Sequence, residues 1–243
     1  MNKSTILVLG ATSPIAREIS ILLAKLEFDL ILVGRDETEL ETIKNDIQIR
    51  SQNKSLIHWN LCDIQDSQTH HLFLEKLYQQ NPSINGVICA IGAMNLPFEK
   101  LIQTNYLGVV SLLENLALHF EQKKSGFISV ITSVAGDRGR KSNYIYGSAK
   151  GGLSIYLQGL QNRLHKSHVR VINFKCGFVD TAMTFGLPKL FCVASPQCIA
   201  KKIIKKINQK INITDTIYLP HMWFYIMFII KSIPECIFKR LSL

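Results

Sequence analysis

The chain of 243 residues is short of acidic side chains, with 18 Asp and Glu against 28 Lys and Arg and a net charge of +10. It holds only seven prolines, two tryptophans and six cysteines, and no C-x-x-C pair. Each shortage excludes something. Without paired Cys spacing there is neither a zinc ribbon nor a disulfide framework, and Cys62, Cys89, Cys176, Cys192, Cys198 and Cys236 sit mostly in apolar runs, as small reduced hydrophobes do. No run of about 20 uncharged apolar residues exists, so a multi-span membrane protein is excluded. The seven His form no H-E-x-x-H, and no zinc-finger or RNP-type motif occurs, which disfavours metal chemistry and nucleic-acid binding. With 47% hydrophobic and 19% charged residues, disorder and collagen are also out. The opening Met1-Asn2-Lys3-Ser4 lacks the long apolar core of a secretory signal, so a cytoplasmic location is expected.

What is present is an alternation. Short apolar, β-branched runs predict strands over residues 5–9, 28–33, 55–59, 84–90, 127–131, 169–174 and 216–219. Between them, apolar residues at helical spacing predict helices over 13–26, 36–49, 65–78, 97–120 and 144–164, and another after Ser195-Pro196. Strands alternating with helices predict an α/β fold of the Rossmann type, a doubly wound parallel sheet covered on both faces. The organisation read from this is one domain over residues 1–220 and an apolar, basic tail over 221–243.

The first strand-to-helix turn reads Gly10-Ala11-Thr12-Ser13-Pro14-Ile15-Ala16. Here a dinucleotide pyrophosphate would rest on helix N–H groups, although Pro14 and Ala16 stand where a glycine-rich loop has further glycines. Alone, the turn reads equally as an ordinary βα connection. The end of the second strand, Gly34-Arg35-Asp36, is more informative. An acidic residue there binds the ribose hydroxyl of NAD, whereas Arg offers a planar fork to the 2′-phosphate of NADP. Asp36 reads as the cap of the next helix, leaving Arg35 free, so NADPH or NADP is expected over NAD.

Tyr146-Gly147-Ser148-Ala149-Lys150 places a phenol and an ammonium one helical turn apart. A nearby positive charge is expected to lower the phenol pKa and make it a usable general acid. Ser133, thirteen residues upstream at the end of the fifth strand, can meet Tyr146 at the ligand-binding edge of such a sheet.

These motifs, in this order over about residues 4–200, resemble the short-chain dehydrogenase/reductase family. The resemblance implies a triad of Ser133, Tyr146 and Lys150, with Asn105 of Thr104-Asn105-Tyr106 holding a water in the proton relay. It implies an adenine contact at Asp63. The phosphate turn would be Gly10, Thr12, Ser13, Pro14 and Ile15, and the remaining cofactor contacts Ala90, Gly92, Gly177, Val179 and Thr181, besides Tyr146 and Lys150. Three departures stand out: Pro14 and Ala16 in the turn, Cys89-Ala90-Ile91-Gly92 for Asn-Asn-Ala-Gly, and Cys176-Gly177 for Pro-Gly. Homo-oligomers are common in the family and are expected here, and the resemblance implies a lid over the substrate at about 177–195.

The tail adds a second theme. Residues 222–230 are apolar on every side, followed by Lys231, Lys239 and Arg240. Nine residues cannot span a bilayer, but they can lie in its interface with Trp223 and Tyr225 at headgroup level, or pack in an oligomer. With Gly177-Phe178-Val179-Asp180-Thr181, the tail resembles a bacterial subgroup that includes the decaprenylphosphoryl-2-keto-ribose reductases. That resemblance implies a polyprenyl-phosphate-linked 2-keto-pentose as substrate, reduced for cell-envelope glycans at the inner face of the membrane. A soluble or fatty carbonyl substrate is the alternative, and a non-catalytic NADP-binding regulator is the third reading.

Overall fold

The computed structural model describes residues 4–81, 83–187, 190–209 and 215–241. Seven parallel strands form one sheet in the order β3-β2-β1-β4-β5-β6-β7. In chain order they are β1 (Thr5–Leu9), β2 (Asp29–Gly34), β3 (Ile57–Leu61), β4 (Ile84–Cys89), β5 (Phe127–Ser133), β6 (Arg170–Cys176) and β7 (Thr216–Leu219). The helices between them are α1 (Pro14–Lys25), α2 (Glu37–Arg50), α3 (His70–Gln80), α4 (Phe98–Ile102), α5 (Gly108–Lys123), α6 (Tyr144–Leu164) and α7 (Pro196–Ile207). Two short helices, α8 (Met222–Ser232) and α9 (Glu235–Phe238), close the chain.

The sheet is buried on both faces, as its continuous apolar strands require. In β1, Ile6 and Val8 point toward α1, α2 and α7, while Leu7 and Leu9 point toward α3, α5 and α6. Strand order reverses between β1 and β4, so the connections leaving them diverge and open a crevice at the carboxyl ends. Helix starts follow local chemistry. Asp36 caps α2 by accepting from Glu39 N–H at 2.9 Å, as expected, and Ser195 caps α7 through Cys198 N–H at 3.2 Å.

Several elements differ from the sequence expectation. The third strand begins two residues late, because the Ser55 hydroxyl donates to the Ala24 carbonyl at the end of α1 and Leu56 is turned outward. The third helix begins at His70, because residues 63–69 form successive turns. His70 is fully buried, with its ring nitrogens at the Ser111 hydroxyl (3.0 Å) and the Asp63 carbonyl (3.2 Å), and so does not lie on a polar face. The expected continuous helix over 97–120 is interrupted by a π turn at Gln103–Leu107, which joins α4 to α5.

Candidate active site

The turn after β1 is tied to its neighbour: Gly10 and Ala11 N–H both donate to the Val33 carbonyl. Gly10 has φ +73°, and a Cβ there would lie 3.0 Å from the Ile91 backbone, so glycine is required for both conformation and space. Pro14 opens α1, and Ser13 spends no side-chain hydrogen bond on capping it. The hydroxyl and the first-turn N–H groups of α1 are therefore available to an anion.

Two adjoining cavities follow the crevice. One, of about 230 Å³, runs from Gly10, Thr12 and Ser13 past Arg35 to Ala90 and Gly92. The other, of about 270 Å³, shares Ser13, Ala90 and Gly92 and is lined by Pro14, Ile15, Ser133, Tyr146, Lys150, Gly177, Val179 and Thr181. Arg35 is exposed and makes no hydrogen bond or ion pair among the described residues. Asp63 borders a shallower hollow with Arg35, one carboxylate oxygen accepting from Gln65 N–H at 2.9 Å. Together, the backbone cradle, the exposed guanidinium and the elongated cleft fit a dinucleotide.

At the inner end, the Ser133 hydroxyl lies near the Tyr146 phenol on the wall of the same cavity. It also accepts from Ala135 N–H at 3.1 Å, which fixes its rotamer. Lys150 is buried, its Nζ 6.0 Å from the Tyr146 ring centroid and donating to the Ile91 carbonyl at 2.9 Å. The electrostatics correct one expectation. Burial pushes the Tyr146 phenol up to about 12, outweighing the opposing influence of the Ser133 hydroxyl, instead of the ammonium bringing it toward neutrality. Burial also holds the Lys150 ammonium down to about 8.

Asn105 lies in the π turn and is fully buried. Its Oδ1 accepts from Ala93 N–H (3.1 Å), and its Nδ2 donates to the Ala93 carbonyl (2.8 Å) and the Leu101 carbonyl (2.9 Å). The side chain thus fastens the loop after β4 to the π turn, and Oδ1 keeps a second lone pair. Gly92 sits between this amide and Lys150: a Cβ on it would be 3.1 Å from Lys150 Nζ and 3.4 Å from Asn105 Oδ1.

Two further features bear on the site, one that the sequence does not single out and one that it places elsewhere. Lys175 of β6 forms a buried ion pair with Asp137, just beyond Ser133, and Tyr218 of β7 donates to the same carboxylate at 2.7 Å. The segment carrying Ser133 is thereby tied to two strands. Trp223 is the other. Expected at a lipid headgroup, it is only 1% exposed and lies against Gly177, where a Cβ would come within 1.8 Å of its Nε1. Its ring meets Phe178 (5.4 Å) and Phe191 (5.2 Å), and these three rings brace the 177–195 segment from behind. That segment closes at its neck through Ala194 N–H to the Phe178 carbonyl and Asp180 N–H to the Ala194 carbonyl.

The parallel fold, the phosphate-ready turn and the Ser–Tyr–Lys cluster on one cleft define a dinucleotide-dependent oxidoreductase. The family model described as short chain dehydrogenase matches residues 4–189, and the chain belongs to that family of NAD(P)-dependent oxidoreductases. An uncharacterized oxidoreductase of Mycobacterium tuberculosis is 25% identical over 97% of this chain and 96% of its own length. A short-chain dehydrogenase/reductase from Mycobacterium ulcerans superposes with a TM-score of 0.80 at 16% identity, over 90% of this chain and 88% of its own. A short-chain dehydrogenase from Sphingobium yanoikuyae, solved in complex with NADPH, superposes with a TM-score of 0.77 at 20% identity, over 96% and 97% of the two chains.

Proposed function

We propose that this protein is an NADPH-dependent carbonyl reductase in which Tyr146 is the proton donor. The observation that carries the reading is the convergence of Ser133, Tyr146 and Lys150 on one wall of a cavity continuous with the Arg35 end of the cleft. Gly10, Thr12, Ser13, Pro14 and Ile15 would hold the pyrophosphate, Arg35 the 2′-phosphate and Asp63 the adenine. Ala90, Gly92, Gly177, Val179 and Thr181 would enclose the nicotinamide half. Bound there, the dinucleotide supplies a hydride.

The chain supplies the rest. Ser133 Oγ hydrogen-bonds the carbonyl oxygen of the substrate and orients it. Tyr146 remains protonated at neutral pH, because burial disfavours its phenolate, and gives its proton from Oη to that oxygen as negative charge develops. Lys150 has three donors and spends one on Ile91, which leaves two for the cofactor ribose. Asn105 acts as a positioning residue by fastening Ala93 to the π turn.

The substrate class we propose is a polyprenyl-phosphate-linked 2-keto-pentose, handled in the cytoplasm at the inner face of the membrane. Support comes from the tail motif and its flanking cations. In this reading residues 1–220 form a catalytic unit that assembles as a homo-oligomer, 177–195 are its lid, and 221–243 are a tail joined to it through Trp223. The test is loss of NADPH absorbance with a panel of ketones that includes the lipid-linked sugar. Tyr146→Phe should lower kcat by roughly 10²–10⁴-fold and leave NADPH affinity unchanged. Turnover near that of the parent would overturn the mechanism, and reduction of soluble ketones alone would overturn the substrate class.

A further inference from the structure

We propose that α8, α9 and Phe185 form a docking surface for an anionic phospholipid bilayer, which sets the mouth of the catalytic cavity against the lipid. This rests on the lipid-linked reading of the substrate. Helix α8 is apolar on two opposite sides. Trp223 and Met227 are buried inward, while Tyr225, Phe228 and Ile229 are 60–68% exposed on the other side. A helix on a protein surface ordinarily turns polar residues to water, yet no charged side chain occurs between Met222 and Ile230. Contiguous exposed apolar surface of this kind marks an interaction site.

Behind that face, α8 packs through its buried side on the segment that lines the cavity. Phe191 packs on Trp223, and the same segment carries Thr181, Ala182, Met183 and Thr184 on the cavity wall. The next residue, Phe185, is 90% exposed. The segment therefore has catalytic lining on one stretch and an outward aromatic on the adjoining one.

Charge selects the occupant. Arg138 donates to the Lys231 carbonyl at 2.9 Å, and its guanidinium carbon is 4.3 Å from the Phe238 ring centroid. This contact draws the loop after β5, with exposed Lys141, toward exposed Lys231, Lys239 and Arg240. Glu235 is the sole acidic residue in 221–241. A second copy on a two-fold axis would confront these cations with their own images. An anionic headgroup layer instead pairs with them while Tyr225, Phe228 and Ile229 enter its interface. Among the described residues no helix is long and apolar enough to cross a membrane, so contact is along the surface.

The experiment is flotation of the full chain with vesicles of phosphatidylcholine, alone or mixed with phosphatidylglycerol. Roughly tenfold or greater preference for the mixed vesicles is expected, weakened by salt. Phe228→Glu with Ile229→Glu should abolish flotation yet leave NADPH oxidation with a water-soluble ketone unchanged. Lys239→Glu with Arg240→Glu, which touches no packed side chain of α8, should remove the preference for anionic lipid. Equal flotation with both vesicle types, or none with either, overturns the proposal. So does a dimer that the Phe228/Ile229 variant converts to monomer, since the face would then serve a second copy. Anionic flotation without reduction of any ketone upholds the docking surface and removes the reductase reading alone.

Discussion

Replacing Gly177 by alanine tests the packing behind the catalytic strand. The added methyl carbon would lie 1.8 Å from Trp223 Nε1 and 2.1 Å from Cε2, where nonbonded contacts need about 3.5–4.0 Å. The indole has no room to retreat, because it is 1% exposed and held between Phe178 and Phe191. Overpacking of this type costs about 1–3 kcal/mol. Trp223→Ala alone removes the buried indole, at about 3–5 kcal/mol. In the double variant the methyl enters vacated space, so Gly177→Ala should cost almost nothing there. The cycle then yields a coupling of about 1–3 kcal/mol, well beyond the ~0.3–0.5 kcal/mol scatter of independent sites. Urea unfolding midpoints at constant slope measure it, and on heating each kcal/mol should move the midpoint by roughly 2–4 °C for a chain of this size. Additive losses would show that the tail helix does not press on Gly177, and the reasoning would fail.

Three further outcomes follow from the site. Arg35→Ala should weaken NADPH binding by about 10- to 100-fold, the equivalent of a charge-assisted contact, and leave NADH binding unchanged; equal losses for both would remove Arg35 from the phosphate site. With Lys150 held down to about 8, its charge is present below that pH and lost above it, so kcat/KM for reduction should fall as pH rises through about 8. The unfolded chain binds the extra proton between this value and the ordinary 10.5, so the Lys150 contribution to stability should improve with pH across that window. A rate profile flat up to about pH 10 would contradict the assignment. Asp137→Asn should destabilise by about 3–5 kcal/mol by leaving the Lys175 ammonium buried without its partner, and Lys175→Met added to it should restore most of the loss in a denaturation series.

Asp36 and Ser195 mark helix starts that can be read directly, because a cap is a local contact within three residues. The seven strands are legible for a related reason: strands buried on both faces must be apolar without interruption. Ser133, Tyr146 and Lys150 are legible because strand end and helical spacing bring them to one edge. What escapes the sequence is non-local. The π turn carries no residue pattern that separates it from ordinary helix, so the commitment of the Asn105 amide to Ala93 could not be foreseen. Trp223 reads alike for a lipid interface and for a protein core, and only the bare Cα of Gly177, 46 positions away, decides between them. Lys175 lies between Phe174 and Cys176 in an apolar strand, and its partner Asp137 comes from a different connection. The direction of the Tyr146 shift was misjudged because neighbouring charge is visible in a sequence and desolvation is not.

Since every strand of the sheet runs the same way, the connections that bear Gly10, Arg35, Asp63, Gly92, Ser133 and Gly177 all emerge at one pole. Among the described residues, the opposite pole carries returns from helix to strand, several of them turning on left-handed Glu27, Gln52, Asn53, Lys124 and His168. Those returns are free of any duty toward the reacting atoms. They can accept a fluorophore, an immobilising handle or an inserted loop while the chemistry at the far end proceeds undisturbed.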